Sequence, residues 1–149
     1  REQFINKIIN KGFSTNFFGI DKQPVWGSKF FTELSNSKMG LNYNRGKPIK
    51  YYSSDRLCSL IANGLLTFVQ NGYQYEEFFD DKKHVVYFEN VEDLIIKIKY
   101  YSKSFNDRSS IGYNGKKRYF DLFENSTVTK YMIEKIFETE NSNKKIWMS

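Results

Sequence analysis

The sequence has one cysteine, one histidine and two prolines, and no apolar run approaches the roughly 20 residues that span a bilayer. Each shortage excludes something. With Cys58 alone there is no internal disulfide framework, which fits a reducing compartment, and with His84 alone there is no multi-histidine metal site. Pro24 and Pro48 both fall in stretches that read as loops, and no internal repeat or low-complexity tract is present. The most apolar neighbourhood, around Leu94–Ile98, is broken by Lys97. Arg1 is not an initiator and no signal-peptide pattern follows it, so a piece of a longer chain is expected.

What is present is a core. The 149 residues are 40% hydrophobic and 18% aromatic, enough for one domain and unlike a disordered chain. The net charge of +6 fits a phosphate-bearing partner or simply a lysine-rich composition.

Helical and strand patterns alternate. Phe4, Ile5, Ile8 and Ile9 recur at helical spacing; 13–19 then reads as a strand closed by Gly19. A helix over 26–36 and a strand over 39–43 follow, then a helix over 54–63 that stops at Gly64, where a C′ glycine belongs. A buried strand at 65–69, a short helix at 73–79, a strand at 85–88 and a helix capped by Asn90 come next. Two further helices are predicted over 106–120 and 126–137, the last with Val128, Tyr131, Met132 and Ile136 facing inward. Strands that are continuous apolar runs between helices predict a parallel sheet covered on both faces. The expectation is a three-layer, Rossmann-like α/β domain with a mainly parallel sheet of about four strands. Residues 1–149 form one domain on this reading, with 138–149 as a tail.

A doubly wound sheet needs crossovers running outward from a middle strand, so a central strand is expected before Arg1. The alternatives are another strand between 13–18 and 38–43, direct pairing of those two, or an element lent by a second copy.

Ligands of such sheets bind beyond the carboxyl ends of the strands. The loop from Asn42 to Arg56 concentrates Arg45, Lys47, Lys50 and Arg56 around a helix start, with Ser53 or Ser54 as the N-cap. Free N–H groups and the positive end of the helix dipole suit that place to a phosphate or diphosphate. A solvated basic loop is the plain alternative, since neither a Walker loop nor a GxGxxG fingerprint is present.

The run from Ser54 to Val69, followed by Tyr75-Glu76-Glu77-Phe78-Phe79 and the strand at 84–88, resembles the donor-binding half of group 1 glycosyltransferases. The spore-coat-type subgroup is the nearer likeness. The strand at 37–42, Asn90 to Tyr100, Asp107-Arg108 and Asn114 to Arg118 extend the resemblance over about residues 28–137. It implies the C-terminal domain of a two-domain GT-B enzyme, which binds a nucleotide-sugar donor while an N-terminal domain of the same chain binds most of the acceptor. The isolated domain is then expected to be inactive. It further implies a cytoplasmic location, with peripheral contact at the inner membrane face, in bacterial-type cell-surface glycan synthesis, and no cofactor or metal.

Carried over by position, Arg56 is the family's arginine at the helix start and would contact donor phosphate, with Arg45, Lys50 and Ser54 completing the diphosphate set. Asn42, Asp55, Ser59 and Glu77 would face the nucleoside or sugar. Ser59 stands where the family usually has a ribose-binding glutamate, and Tyr51 stands at the other acid of the usual pair. A serine offers a single hydroxyl in place of a charged bidentate acceptor, so a degenerate, non-catalytic nucleotide- or protein-binding module is the second reading.

The other conspicuous residues read as structure. Glu76 and Glu77 are adjacent, about 100° apart on a helix, so they do not flank one bond as a glycosidase pair. His84 reads as a strand-edge histidine, Cys58 as packing and Asn125 to Thr127 as a helix cap. Trp26, in the loop from Gly19 to Gly27, could wall the donor pocket or anchor a turn. Tyr51-Tyr52 and Tyr100-Tyr101 beside lysines suggest base stacking, but Tyr101 is on the apolar side of its helix, so nucleic acid is not expected as a partner.

Overall fold

The computed structural model describes residues 2–20, 22–44 and 46–137. Three strands, β1 (Met39–Asn42), β2 (Leu66–Gln70) and β3 (Val86–Phe88), form one parallel sheet in the order β1-β2-β3. Met39 stands opposite Leu66, and Phe68 opposite Val86. Six helices accompany it: α1 (Glu2–Ile9), α2 (Gly27–Ser35), α3 (Asp55–Ala62), α4 (Val91–Lys103), α5 (Phe105–Phe123) and α6 (Asn125–Ile136).

The period of two along each strand sorts side chains into two cores. Met39 and Leu41, Leu66 and Phe68, and Val86 and Phe88 point to one face, where they meet Ile8 of α1 and Val91, Leu94 and Ile95 of α4. Val69, Val85 and Tyr87 point to the other and meet Leu57 and Ile61 of α3 and Leu122 of α5. The result is three layers, α1 and α4, the sheet, and α3 and α5, in a Rossmann-like arrangement. β2 is covered on both faces, which is why it reads as a nearly continuous apolar run, its buried Thr67 donating to the Leu65 carbonyl at 3.0 Å.

Local chemistry sets the boundaries. Gly64, at φ +77°, ends α3 in a Schellman turn: its N–H donates to Ile61 O (2.9 Å), and that of Leu65 to Leu60 O (3.2 Å). Asn90 caps α4 by accepting the Asp93 N–H at 2.9 Å, with Glu92 and Asp93 in the first turn. Gly40 leaves room for Leu60, whose side chain a Cβ there would meet at 2.5 Å.

Several expectations are corrected. Residues 13–17 form no ladder, so the described sheet has three strands and not about four; only an isolated bridge, Phe18 to Lys22, lies nearby among the described residues. The pattern misled because Phe13 and Phe17 do dock on the core, while Asn16 is tied to Glu33 of α2 (3.4 Å) and to Lys22 by side-chain hydrogen bonds. The helix expected at 73–79 shrinks to one 3₁₀ turn, Tyr75–Glu77, entered through Gln74 at φ 58°. Tyr75, Phe78 and Phe79 are buried around it, so tertiary packing set the turn. In α6 nothing is buried: Val128 and Tyr131 are half-buried, but Met132 and Ile136 face solvent, because only α5 among the described residues lies alongside. The expected tail at 138–149 lies outside the described residues.

Candidate functional site

The carboxyl ends of β1 and β2 open toward the loop that starts α3. Asn42, the last residue of β1, is 1% exposed. Its Oδ1 accepts the Ser54 hydroxyl at 3.2 Å, while its Nδ2 is buried without a partner. Ser54 is therefore the N-cap of α3 by position, but its side chain ties the helix to the strand and caps none of the first-turn amides, of which the Leu57 N–H donates to the Ser54 carbonyl at 2.9 Å. Arg56, half-buried in that first turn, donates from Nη1 to the Tyr43 carbonyl at 3.0 Å. The Tyr43 ring in turn stacks on Phe4 of α1, with centroids 4.0 Å apart.

A second cluster lies along the same rim. Lys50 Nζ stands 3.8 Å from Glu77 Oε1 and 4.5 Å from the centre of the Tyr51 ring, and the Tyr51 hydroxyl hydrogen-bonds the Glu77 carboxylate. Tyr51 adopts φ 57°, held by its N–H on Tyr73 O (2.9 Å). The hydrogen bond with Tyr51, and then the Glu77 charge, raise the Lys50 pKa above the ordinary lysine value. Behind them Tyr73 and Tyr75 stack 5.4 Å apart, and the Tyr75 hydroxyl donates to the Tyr52 carbonyl. Burial pushes the Tyr75 phenol up to about 12.

The residues named from the sequence thus fall into two groups. Asn42, Ser54 and Arg56 come together at the start of α3; Lys50 and Glu77 come together with Tyr51. Asp55 is exposed in the first turn of α3. Ser59 is half-buried one turn on, its carbonyl accepting the Asn63 amide at 2.7 Å. Arg45 lies outside the described residues.

Sequence reasoning placed Asn44, Gln70 and Tyr73 in the loops after the strands, where a ligand is expected, but gave them no role in the site. Asn44 Nδ2, Gln70 Oε1 and the Tyr73 hydroxyl are, like Asn42 Nδ2, buried without a hydrogen-bond partner. A buried polar atom left unpaired costs about 1–3 kcal/mol, so four at one end of a sheet mark a place built for something polar. The signal was available: each is a polar residue at, or just past, the carboxyl end of an apolar strand.

Elsewhere the conspicuous residues are structural. His84 Nδ1 accepts the Asp80 N–H at 3.0 Å, and burial, the largest influence, lowers its pKa despite the Asp80 carboxylate. Cys58 is half-buried, its sulfur 3.9 Å from the Ser53 hydroxyl. Tyr101 is buried on Phe68, and Trp26 is 80% exposed. Among the described residues no group of three or more His, Cys, Asp and Glu is placed to hold a metal ion, and no helix is long and apolar enough to cross a membrane.

The arrangement offers donors and cations for an anionic, polar ligand: two side-chain amides, uncapped helix N–H groups, a guanidinium and an ammonium. A family model described as glycosyl transferase-like matches residues 1–134. No curated protein and no solved structure was found to match. A parallel α/β sheet whose carboxyl end gathers these groups, together with a match over nearly all of its length, places this chain in the glycosyl transferase-like family.

Proposed function

We propose that this domain binds the nucleotide-sugar donor of a GT-B glycosyltransferase, as its C-terminal half, and that the acceptor is held mainly by an N-terminal domain. The observation that carries this is the buried, unpaired Asn42 amide beside Arg56 at the uncapped start of α3. A diphosphate seated there would accept from the first-turn amides and from Arg56, while Asn42 and Asn44 offer N–H donors to it or to the nucleoside. The same groups would stabilise the negative charge that gathers on the diphosphate as the glycosyl bond breaks. Lys50, on the rim with Glu77, would serve the outer phosphate, and Glu77 the sugar hydroxyls. The spore-coat-type likeness supports the same assignment.

A second reading, a non-catalytic module that binds a nucleotide or a protein, is favoured by Ser59 and Tyr51 standing where the family usually has acids, and by Tyr51 engaging Glu77 itself. Titration with UDP, GDP and their sugars, followed by backbone amide NMR, tests both. Localised shifts in 42–59 and 70–73 are expected. Binding without transfer by the two-domain chain would favour the module, and no shift at millimolar nucleotide in either chain would overturn the donor site.

A further inference from the structure

Residues 46–53, between β1 and α3, form neither helix nor strand, and every one of them is exposed. The segment nevertheless lies across the carboxyl end of the sheet. Pro48 rests on Gly72, just past β2, where a Cβ would stand 3.0 Å from the Pro48 Cγ. The Tyr51 N–H donates to Tyr73 O, and the Tyr52 carbonyl accepts the Tyr75 hydroxyl. Where the segment enters α3, Ser54 donates to Asn42 at the end of β1. Two of the residues touched here, Asn42 and Tyr73, keep a buried polar atom without a hydrogen-bond partner. A ligand that pairs with those atoms needs them uncovered, so part of this rim has to move.

The hold on the segment is thin. Tyr51 sits in the left-handed region at φ 57°, where a side chain is strained. It is kept there by its N–H on Tyr73 O and by its hydroxyl on Glu77. Lys50 adds an ion pair with Glu77 at 3.8 Å, between two half-exposed side chains that water screens. Gly46, at φ +78° with open space about it, gives the start of the segment a place to turn. The contacts also imitate a ligand: a carboxylate stands against the Lys50 ammonium as a phosphate would, and a hydroxyl donates to Glu77 as a sugar hydroxyl would.

We propose that residues 46–53 are a lid on the donor site, held closed by the contacts of Tyr51 and Lys50 with Glu77 and released when a nucleotide-sugar takes those partners. The lid rests on the donor reading for its ligand, but not for its motion. Only the open form binds, so the closed fraction lowers the apparent affinity, and loosening the latch raises it.

Amide exchange and titration with UDP and GDP on wild type and Tyr51→Phe test this. The variant keeps the ring against Phe78 and beside Lys50 and removes only the hydroxyl. In wild type the Tyr51 N–H is expected to exchange on the order of 100-fold faster than the paired amides of Leu66–Gln70, because the lid opens while the sheet stays formed. In the variant it gains about a further tenfold, the worth of one hydrogen bond to a charged group, with β2 unchanged. Nucleotide affinity is expected to rise by the same factor. Tyr51 exchange as slow as that of β2, or unmoved by the substitution, would overturn the lid. Faster exchange with no gain in affinity would overturn its control of the site. Faster exchange with neither protein binding UDP or GDP would sink the donor reading and leave the motion established.

Discussion

Gly112 of α5 lies against the carbonyl oxygen of Gly64: a Cβ at Gly112 would stand 2.2 Å from it. One turn on, a Cβ at Gly115 would stand 2.3 Å from the His84 carbonyl oxygen. Both obstacles are backbone, so neither can swing aside as a side chain would. α5 thus rests directly on the turn that ends α3 and on the approach to β3, and only hydrogen fits between.

Gly112→Ala and Gly115→Ala are each expected to destabilise the domain by about 1–3 kcal/mol, the range of overpacking a tight contact, despite alanine's better helix propensity. Urea unfolding measures this. Gly12→Ala is the control for steric space, since nothing lies within 4 Å of a Cβ there and only its φ of +74° is strained. A cost at Gly112 no larger than at Gly12 would contradict the close approach.

Arg56 serves both the Tyr43 carbonyl and, on the donor reading, the diphosphate. Arg56→Lys keeps the charge and loses the planar fork, so UDP or GDP should bind roughly tenfold more weakly, the worth of one charge-assisted hydrogen bond. Calorimetry reads the affinity, and amide spectra verify that the fold is kept. Unchanged affinity would remove Arg56 from the site.

Lys50 and Glu77 share one charge pair on the rim. Glu77→Gln retains an acceptor for the Tyr51 hydroxyl but removes the negative charge, so the Lys50 pKa falls back toward its ordinary value and the free nucleotide diphosphate binds a few-fold more tightly. If Glu77 also holds the sugar, the nucleotide-sugar gains less than the bare nucleotide. Paired calorimetric titrations of the two ligands expose the difference, and a loss for both would contradict the placement of Lys50.

His84 sets a pH dependence whose sign follows from its lowered pKa. The unfolded chain takes up the proton near the ordinary value of about 6.5, while the folded chain, with Nδ1 accepting the Asp80 N–H, takes it up only at lower pH. Stability should therefore be full above that value and decline as pH falls below it. Asp93 acts lower: burial opposes its ionisation, but Lys97 at 2.7 Å and the Glu89 N–H outweigh burial and lower its pKa, so its contribution is lost only below the ordinary carboxylate range. Thermal melts from pH 7.5 down to about 2.5 on wild type and His84→Gln separate the two, since the variant should lose the upper step alone.

Where local chemistry dictates the backbone, the sequence was readable. Gly64 and Asn90 marked helix ends, and the nearly continuous apolar run of β2 announced a strand covered on both faces. Residues 13–17 were misread because alternation reports which side chains dock, and docking needs no ladder. The 73–79 segment was misread because its aromatic residues follow pockets between β2, β3 and α5 and not a helical stripe. In α6 the period was right but the partner was inferred without any observation of one. For the candidate site, the charged residues could be named from the sequence, since charge stands out in a loop. Asn44, Gln70 and Tyr73 fell in the loops expected at the site but were given no role, because only a structure shows that their polar atoms are buried and unpaired.

The strands stand in the sheet in the order in which they occur in the chain. Each crossover, from β1 through α3 to β2 and from β2 to β3, therefore closes a loop between nearest neighbours, and the entropy of closing such loops is small. Residues 39–88 hold the local half of the folding problem, and α1 docks on a sheet whose pairings close without it. The carboxyl ends of β1 and β2, where the candidate site's polar groups converge, belong to that local segment. The candidate site thus rests on pairings close in sequence, whereas the α1 and α4 layer joins segments 85 residues apart at Lys7 and Glu92.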